Sequence, residues 1–281
     1  MLGPPSTAVP QEPFMTAADD RPVSYEIADQ IATIRLSRPA EMNSLTRSTK
    51  IALRDALHSA AADSDVRCVV LTGSGRAFCV GQDLKEHVAD LTGEADFGAA
   101  TTVVDHYNPI VTAIATMPKP VIAAVNGVAA GAGSSMAFAA DFRVVGRSAG
   151  FNTAFAAIAF SCDTGASWTL PRLIGHARAT DLLMRPRTVG ADEALALGLA
   201  TSVADDDRLD AAVSELAHEL ATGPTLAYGA IKRVLAHSAS HDLPSSLDQE
   251  GQKMAMTHAS SDHRAAVRAF LAKEKPVYTG S

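Results

Sequence analysis

Hydrophobic and polar positions alternate through "VSYEIADQIATIRLSRP", residues 23–39, with a polar break at 28–30. The pattern predicts a β-hairpin. Over 47–62 the apolar residues return at helical spacing, and Ile51, Leu53 and Leu57 are the candidate core positions. Three short runs, "VRCVVLTG", "PVIAAVNG" and "DFRVVG", are almost continuously apolar, as strands covered on both faces are. Stretches long enough for helical crossovers separate them, so the middle of the chain reads as α/β. From about residue 206 the pattern turns helical, over 209–221, 226–237, 243–256 and 263–273, with Pro or polar turns between. This tail carries little obvious chemistry and reads as a packing or oligomerisation module. The expected organisation is a disordered leader over 1–20, a core over 21–205 and a helical region over 206–281. No internal repeat is visible in the sequence.

Composition narrows the picture. A chain of 281 residues, 47% hydrophobic, can bury a substantial core in one domain with an appendage. Its formal net charge of −7 argues against a surface built for polyanions, so no nucleic-acid partner is expected. The longest apolar region, 120–140, is interrupted by Asn126, three glycines and two serines. It is core rather than a membrane span. The Pro-rich leader lacks the basic start and apolar run of a secretory signal. Cys68, Cys79 and Cys162 are odd in number and widely spaced, which suggests neither a disulfide framework nor a zinc site. A reducing, cytoplasmic setting and no bound metal are the expectations.

Two segments share a design that suggests chemistry. "VVLTGSGRAFCVGQDLKE" runs from a strand through Gly81 and Gln82 toward a helix that Asp83 can cap. "VIAAVNGVAAGAGSSMAF" runs from a strand through Gly127, Gly131 and Gly133 into a helix expected to start near Ser134. Helix starts expose N–H groups, and glycine lets an oxygen approach them. Two such ends facing one point would form an oxyanion hole. Taken singly, each glycine set equally suits a plain strand-to-helix turn. The spacing G-x-x-x-G-x-G matches neither a dinucleotide fingerprint nor a P-loop. "GSSMA", residues 133–137, is a near miss to the G-x-S-x-G nucleophile elbow, but Ala replaces its last glycine.

The succession "RPAEMNSL", "VVLTGSGRAFCVGQDLKE", "PVIAAVNGVAAGAGSSMAFAADFRVV", "LPRLIGHARATDLLM", "ADEALALGLA" and "VRAFLAKEKPVY" resembles the crotonase (enoyl-CoA hydratase/isomerase) superfamily over about residues 23–278. The resemblance implies a spiral of ββα units with a helical C-terminal trimerisation region, and an assembly that is a homotrimer or a hexamer. It implies an acyl-CoA thioester as substrate, with CoA part of that substrate and no separate cofactor. The thioester oxygen would lie between the backbone amides of Gln82 and Ala132. Substrate would be lined by Gly81, Asp83, Gly131, Gly133, Ser135, Phe151, Phe155 and Trp168, while Met42, Ser44 and Lys85 match regions near the CoA. Trp168 suits a pocket wall or a plain core position.

Departures from the family pattern are informative. Family hydratases hold a water with two glutamates, and here Ser135 and Phe155 stand at those positions. Neither can serve as a carboxylate base. The remaining acid is Asp163, eight residues after Phe155 in "AFAAIAFSCDTGASWTLPRLIG". Several non-hydratase branches carry their working aspartate there, and ring-1,2-epoxyphenylacetyl-CoA isomerase-like members resemble the segment most. The implied reaction is double-bond isomerisation through an enolate, with Asp163 as acid and base. Capping of the following helix through Gly165 or Ala166 is the competing role for its side chain. Atypical hydration, nucleophilic chemistry at Asp163 and an acyl-CoA binder without turnover remain the alternatives.

Overall fold

A computed structural model describes residues 21–93 and 99–281, so the leader expected at 1–20 lies outside the described residues. The alternating segment forms strands β1 (Val23–Ala28) and β2 (Ile31–Leu36), joined by Asp29 and Gln30 at φ 51° and 65°. A two-residue turn in the left-handed region matches the twist of a hairpin. The apolar runs form β3 (Cys68–Gly73), β5 (Val121–Val125) and β7 (Phe142–Gly146). Three shorter strands, β4 (Ala77–Cys79), β6 (Val128–Ala130) and β8 (Gly150–Asn152), follow them in turn. β9 (Val189–Gly190) and β10 (Ser202–Ala204) complete the described set.

Two sheets result, ordered β1-β2-β3-β5-β7-β10 and β4-β6-β8-β9. Each buried strand of the first is followed by a short strand of the second, and then by helical chain. The repeat is one of backbone, and its mark in the sequence is the shared glycine turns after β4 and β6.

Helix α1 (Arg47–Ala62) is capped by Thr46, whose hydroxyl accepts from the Thr49 amide. α2 (Leu84–Leu91) follows β4, while α3 (Ala99–Thr102), a π-turn over Val103–Tyr107 and α4 (Asn108–Thr116) form one helical run before β5. α5 (Ala132–Ala139) follows β6, and α6 (Ala166–Ile174), α7 (His176–Met184) and α8 (Ala191–Leu197) follow β8. One face of the large sheet packs with α1, α4 and α5 around Leu53, Leu71, Ile110, Ala123 and Met136. On the other face α9 (Leu209–Ala221) places Leu209, Val213, Ala217 and Leu220 against Cys68, Val70, Ile122 and Val144. Packing therefore runs without a break across residue 206.

Helices α10 (Thr225–Ser238), α11 (Leu243–His258) and α12 (Ser261–Ala272) extend the tail, leaving Leu235, Leu243, Met254 and Phe270 exposed. None of the described helices is long and apolar enough to cross a membrane.

Candidate active site

The turn between β4 and α2 is fixed from below. Asp83 lies at the N-cap of α2, where Oδ1 accepts from the Lys85 and Glu86 amides at 3.0 and 3.3 Å. Its Oδ2 accepts from Ser44 Oγ at 2.7 Å and from Arg38 Nη1 at 3.2 Å. Burial acts to raise the carboxyl pKa, but those four donors outweigh it and hold Asp83 below the usual range. Ser44 is buried in this network, Met42 adopts φ 52° in the preceding turn, and the Lys85 side chain is exposed.

Leu45 pairs with this turn, donating to Gly81 O at 2.8 Å and accepting from the Asp83 amide at 3.2 Å. In that ladder the intervening Gln82 amide points the other way.

A second turn meets the first. Gly131 has φ 50° and α5 starts at Ala132, two residues before the expected Ser134. As the first residue of the helix, Ala132 has no intrahelical acceptor for its amide. A Cβ on Gly81 would lie 3.0 Å from Ala130 O and 3.3 Å from the Ala132 amide nitrogen, so the two turns touch. A Cβ on Gly133 would lie 2.1 Å from Cys79 O, and one on Gly127 2.1 Å from Arg76 O. Only glycine permits this approach. Ser135 is buried, and its hydroxyl donates to Gly131 O at 3.1 Å, inside the helix's own backbone.

Asp163 stands beyond a short 3-10 turn, Phe155–Ile158, just before α6. The competing capping role is not what the structure shows. Gly165 is the N-cap of α6, no side chain caps it, and only the backbone carbonyl of Asp163 takes part, accepting from the Ala166 amide at 3.0 Å. The left-handed conformations of Thr164 and Gly165, φ 51° and 76°, turn the chain between the acid and the helix. The carboxylate accepts from Thr164 Oγ1 at 2.7 Å. Burial raises its pKa, opposed by the Thr164 hydrogen bond and the charge of Lys50.

Phe155 is buried at the start of its turn, and Phe151 packs on Phe138 with ring centroids 5.0 Å apart. Trp168 is 44% exposed beneath the Arg172 guanidinium, 4.2 Å from its ring centroid, so it is not a core tryptophan. α2 reaches the segment before Asp163 through an edge contact of His87 on Phe160.

Sequence reasoning missed Lys50. The inward stripe of α1 is Lys50, Leu53, Leu57 and Ala60, whereas Ile51, an expected core position, is only half-buried. Lys50 is 1% exposed, and its Nζ donates to Gln82 Oε1 at 3.0 Å and Thr102 Oγ1 at 3.2 Å. The Tyr107 hydroxyl donates to the same Gln82 oxygen at 2.6 Å. A lysine at i with leucines at i+3 and i+7 was the available signal, because a charge on an apolar stripe must find partners. No group of residues suited to hold a metal occurs among the described residues.

Known proteins agree with this architecture. The enoyl-CoA hydratase/isomerase family profile matches residues 26–281. The 1,2-epoxyphenylacetyl-CoA isomerase of Escherichia coli (strain K12) is 40% identical over 89% of this chain and 95% of its own. A protein assigned as an enoyl-CoA hydratase in Rhodobacter capsulatus is 39% identical over 92% of this chain and 98% of its own. A solved structure assigned to enoyl-CoA hydratase/isomerase, from Mycobacterium abscessus, superimposes with a TM-score of 0.88 at 41% identity, covering 92% of this chain and all of that one. The fold and its paired glycine turns define an enzyme of the crotonase class. The chain belongs to the enoyl-CoA hydratase/isomerase family, whose members act on CoA thioesters.

Proposed function

We propose that the protein is an acyl-CoA double-bond isomerase working with a single carboxylate. The observation that carries this reading is the state of Asp163: half-buried, released from helix capping, and within electrostatic reach of the side chains that grip Gln82.

In the proposed reaction the Asp163 carboxylate takes an activated proton from the acyl chain. The C–H electrons move toward the thioester carbonyl, giving an enolate, or a dienolate from an unsaturated chain. Its oxygen accepts from the Gln82 and Ala132 amides, where fixed donors act on developing charge at low local dielectric. Asp163 then returns the proton to a different carbon and the thioester carbonyl re-forms. One carboxylate suffices, because the group that takes one proton hands one back, and its exchange with solvent between the two steps labels the product in D2O. A raised pKa makes the ionised group a stronger base and its acid form an available donor. Hydration is less well supported, since Ser135 spends its hydroxyl on Gly131 O and Phe155 brings no acid.

Exposed apolar side chains on the adjoining elements, Leu84 and Val88 of α2 with Ile158 and Phe160, suit an apolar acyl group. The apolar surface of α10–α12 supports the trimer or hexamer that the resemblance implies, which light scattering of the purified protein tests.

The decisive experiment incubates 2-enoyl-, 3-enoyl- and aromatic-ring-derived CoA thioesters with the protein in D2O, read by mass spectrometry and NMR. Deuterium in the acyl chain with a moved double bond, lost in Asp163→Asn, is the expected result. Efficient formation of 3-hydroxyacyl-CoA overturns the reading.

A further inference from the structure

Lys50 is the cation that joins the two halves of the proposed chemistry, with Tyr107 beside it. Its Nζ holds Gln82, whose amide is the proposed oxyanion donor, and its charge acts on Asp163, the proposed base. The ammonium and the carboxylate do not form a direct ion pair, because no oxygen of Asp163 lies within 4.0 Å of it. The lysine is nonetheless buried as completely as the leucines beside it. An ammonium inserted into an apolar stripe is strongly unfavourable unless its protons are satisfied. Here Gln82 Oε1 and Thr102 Oγ1 satisfy two of them, and the Tyr107 ring lies 5.2 Å from Nζ. The π-turn supplies the remaining wall, since its wider winding brings His106 and Tyr107 both inward.

We propose that Lys50 is a positioning residue of this site: its ammonium, with the Tyr107 hydroxyl, locks Gln82 in place and keeps a fixed positive charge beside both the enolate and Asp163. This rests on the isomerase reading for the enolate, whereas the coupling of Lys50 to Asp163 is a property of the protein without substrate.

The groups facing Lys50 are Asp83 and Glu86 at the start of α2, Asp163, Arg47 on α1, and His106 and Tyr107 in the π-turn. Burial depresses its basicity and Arg47 adds to that, while Glu86, Asp163 and Asp83 oppose them and favour the charged form. Facing Asp163 are the Thr164 hydroxyl, Lys50 and the neutral Tyr107. Removing the lysine charge therefore leaves the carboxylate with burial and one hydroxyl, and its pKa moves up. Replacing one cation by another does not do this.

The test is a pH titration of the Asp163 side-chain carboxyl carbon by NMR in the ligand-free protein, for wild type, Lys50→Met and Lys50→Arg, alongside isomerase kinetics on the best substrate of the D2O panel. Lys50→Met is expected to raise the Asp163 midpoint. It is also expected to lower kcat roughly 10- to 100-fold with little change in KM, as loss of a transition-state contact does. Lys50→Arg is expected to keep the wild-type midpoint, and Tyr107→Phe to lower kcat without moving it. An unmoved midpoint in a folded Lys50→Met protein overturns the proposal, and so does a loss of activity confined to KM. Absence of isomerase turnover in wild type would defeat the functional reading alone, because the titration stands without it.

Discussion

Asp83 and Asp163 both precede helices in sequence, yet the structure treats them in opposite ways. Asp83 caps α2 and pairs with Arg38, and four donors hold it ionised. Asp163 leaves its helix to Gly165 and keeps one hydroxyl, so burial dominates and its proton is held more tightly. The lesson is that an aspartate before a helix is defined by where its two oxygens go. The acid with four donors maintains a turn, and the acid with one is the group proposed to move a proton.

The largest effect that sharpens this contrast is on rate. Asp163→Asn should lower isomerase turnover by about 10²- to 10⁴-fold, the range typical of a lost acid–base group, with circular dichroism unchanged. Asp83→Ala should act on stability instead, costing about 1–2 kcal/mol in urea unfolding, because it removes the α2 cap and one partner each of Ser44 and Arg38. Comparable activity losses in both variants at equal stability would break the comparison.

Proton titration sharpens it further. The Asp83 carboxyl should titrate below the ordinary aspartate range and Asp163 above it. Asp83 therefore contributes stability above the unfolded-state pKa that is lost as pH falls through its own lower value. For Asp163 the sign reverses: its contribution is complete below the unfolded pKa and is lost as pH rises through the raised one. Asp163→Asn should accordingly raise Tm modestly at neutral pH, with the gain vanishing in acid. The smallest expected effect comes from Thr164→Val, which removes the hydroxyl donor and should move the acid limb of the kcat/KM profile upward by less than about one unit.

Much of the scaffold was legible because long elements have a period. The hairpin, the span of α1 and the four helices of the tail lie at or within two residues of where alternation and helical spacing put them. β4, β6 and β8 were not legible, since three residues are too few to show any period. The two glycine turns could be picked out as a pair, but their contact is a property of the β4–β6 pairing. Lys50 does not stand out among glycine turns and loops, because it sits on the buried stripe of a helix. Likewise no spacing rule reports that Thr164 and Gly165 turn left-handed and withdraw Asp163 from its cap.

The glycine mould bears on how this enzyme can be redirected in the laboratory. With a carbonyl 2.1 Å from where a Cβ would stand at Gly127 and at Gly133, neither position accepts even a methyl group without displacing backbone. Random libraries that include these codons will be dominated by unfolded clones. Leu84, Val88, Ile158 and Phe160 expose their side chains on the neighbouring elements. If these side chains meet the acyl group as proposed, variation confined to those four positions would let a new acyl group be selected above an unaltered floor.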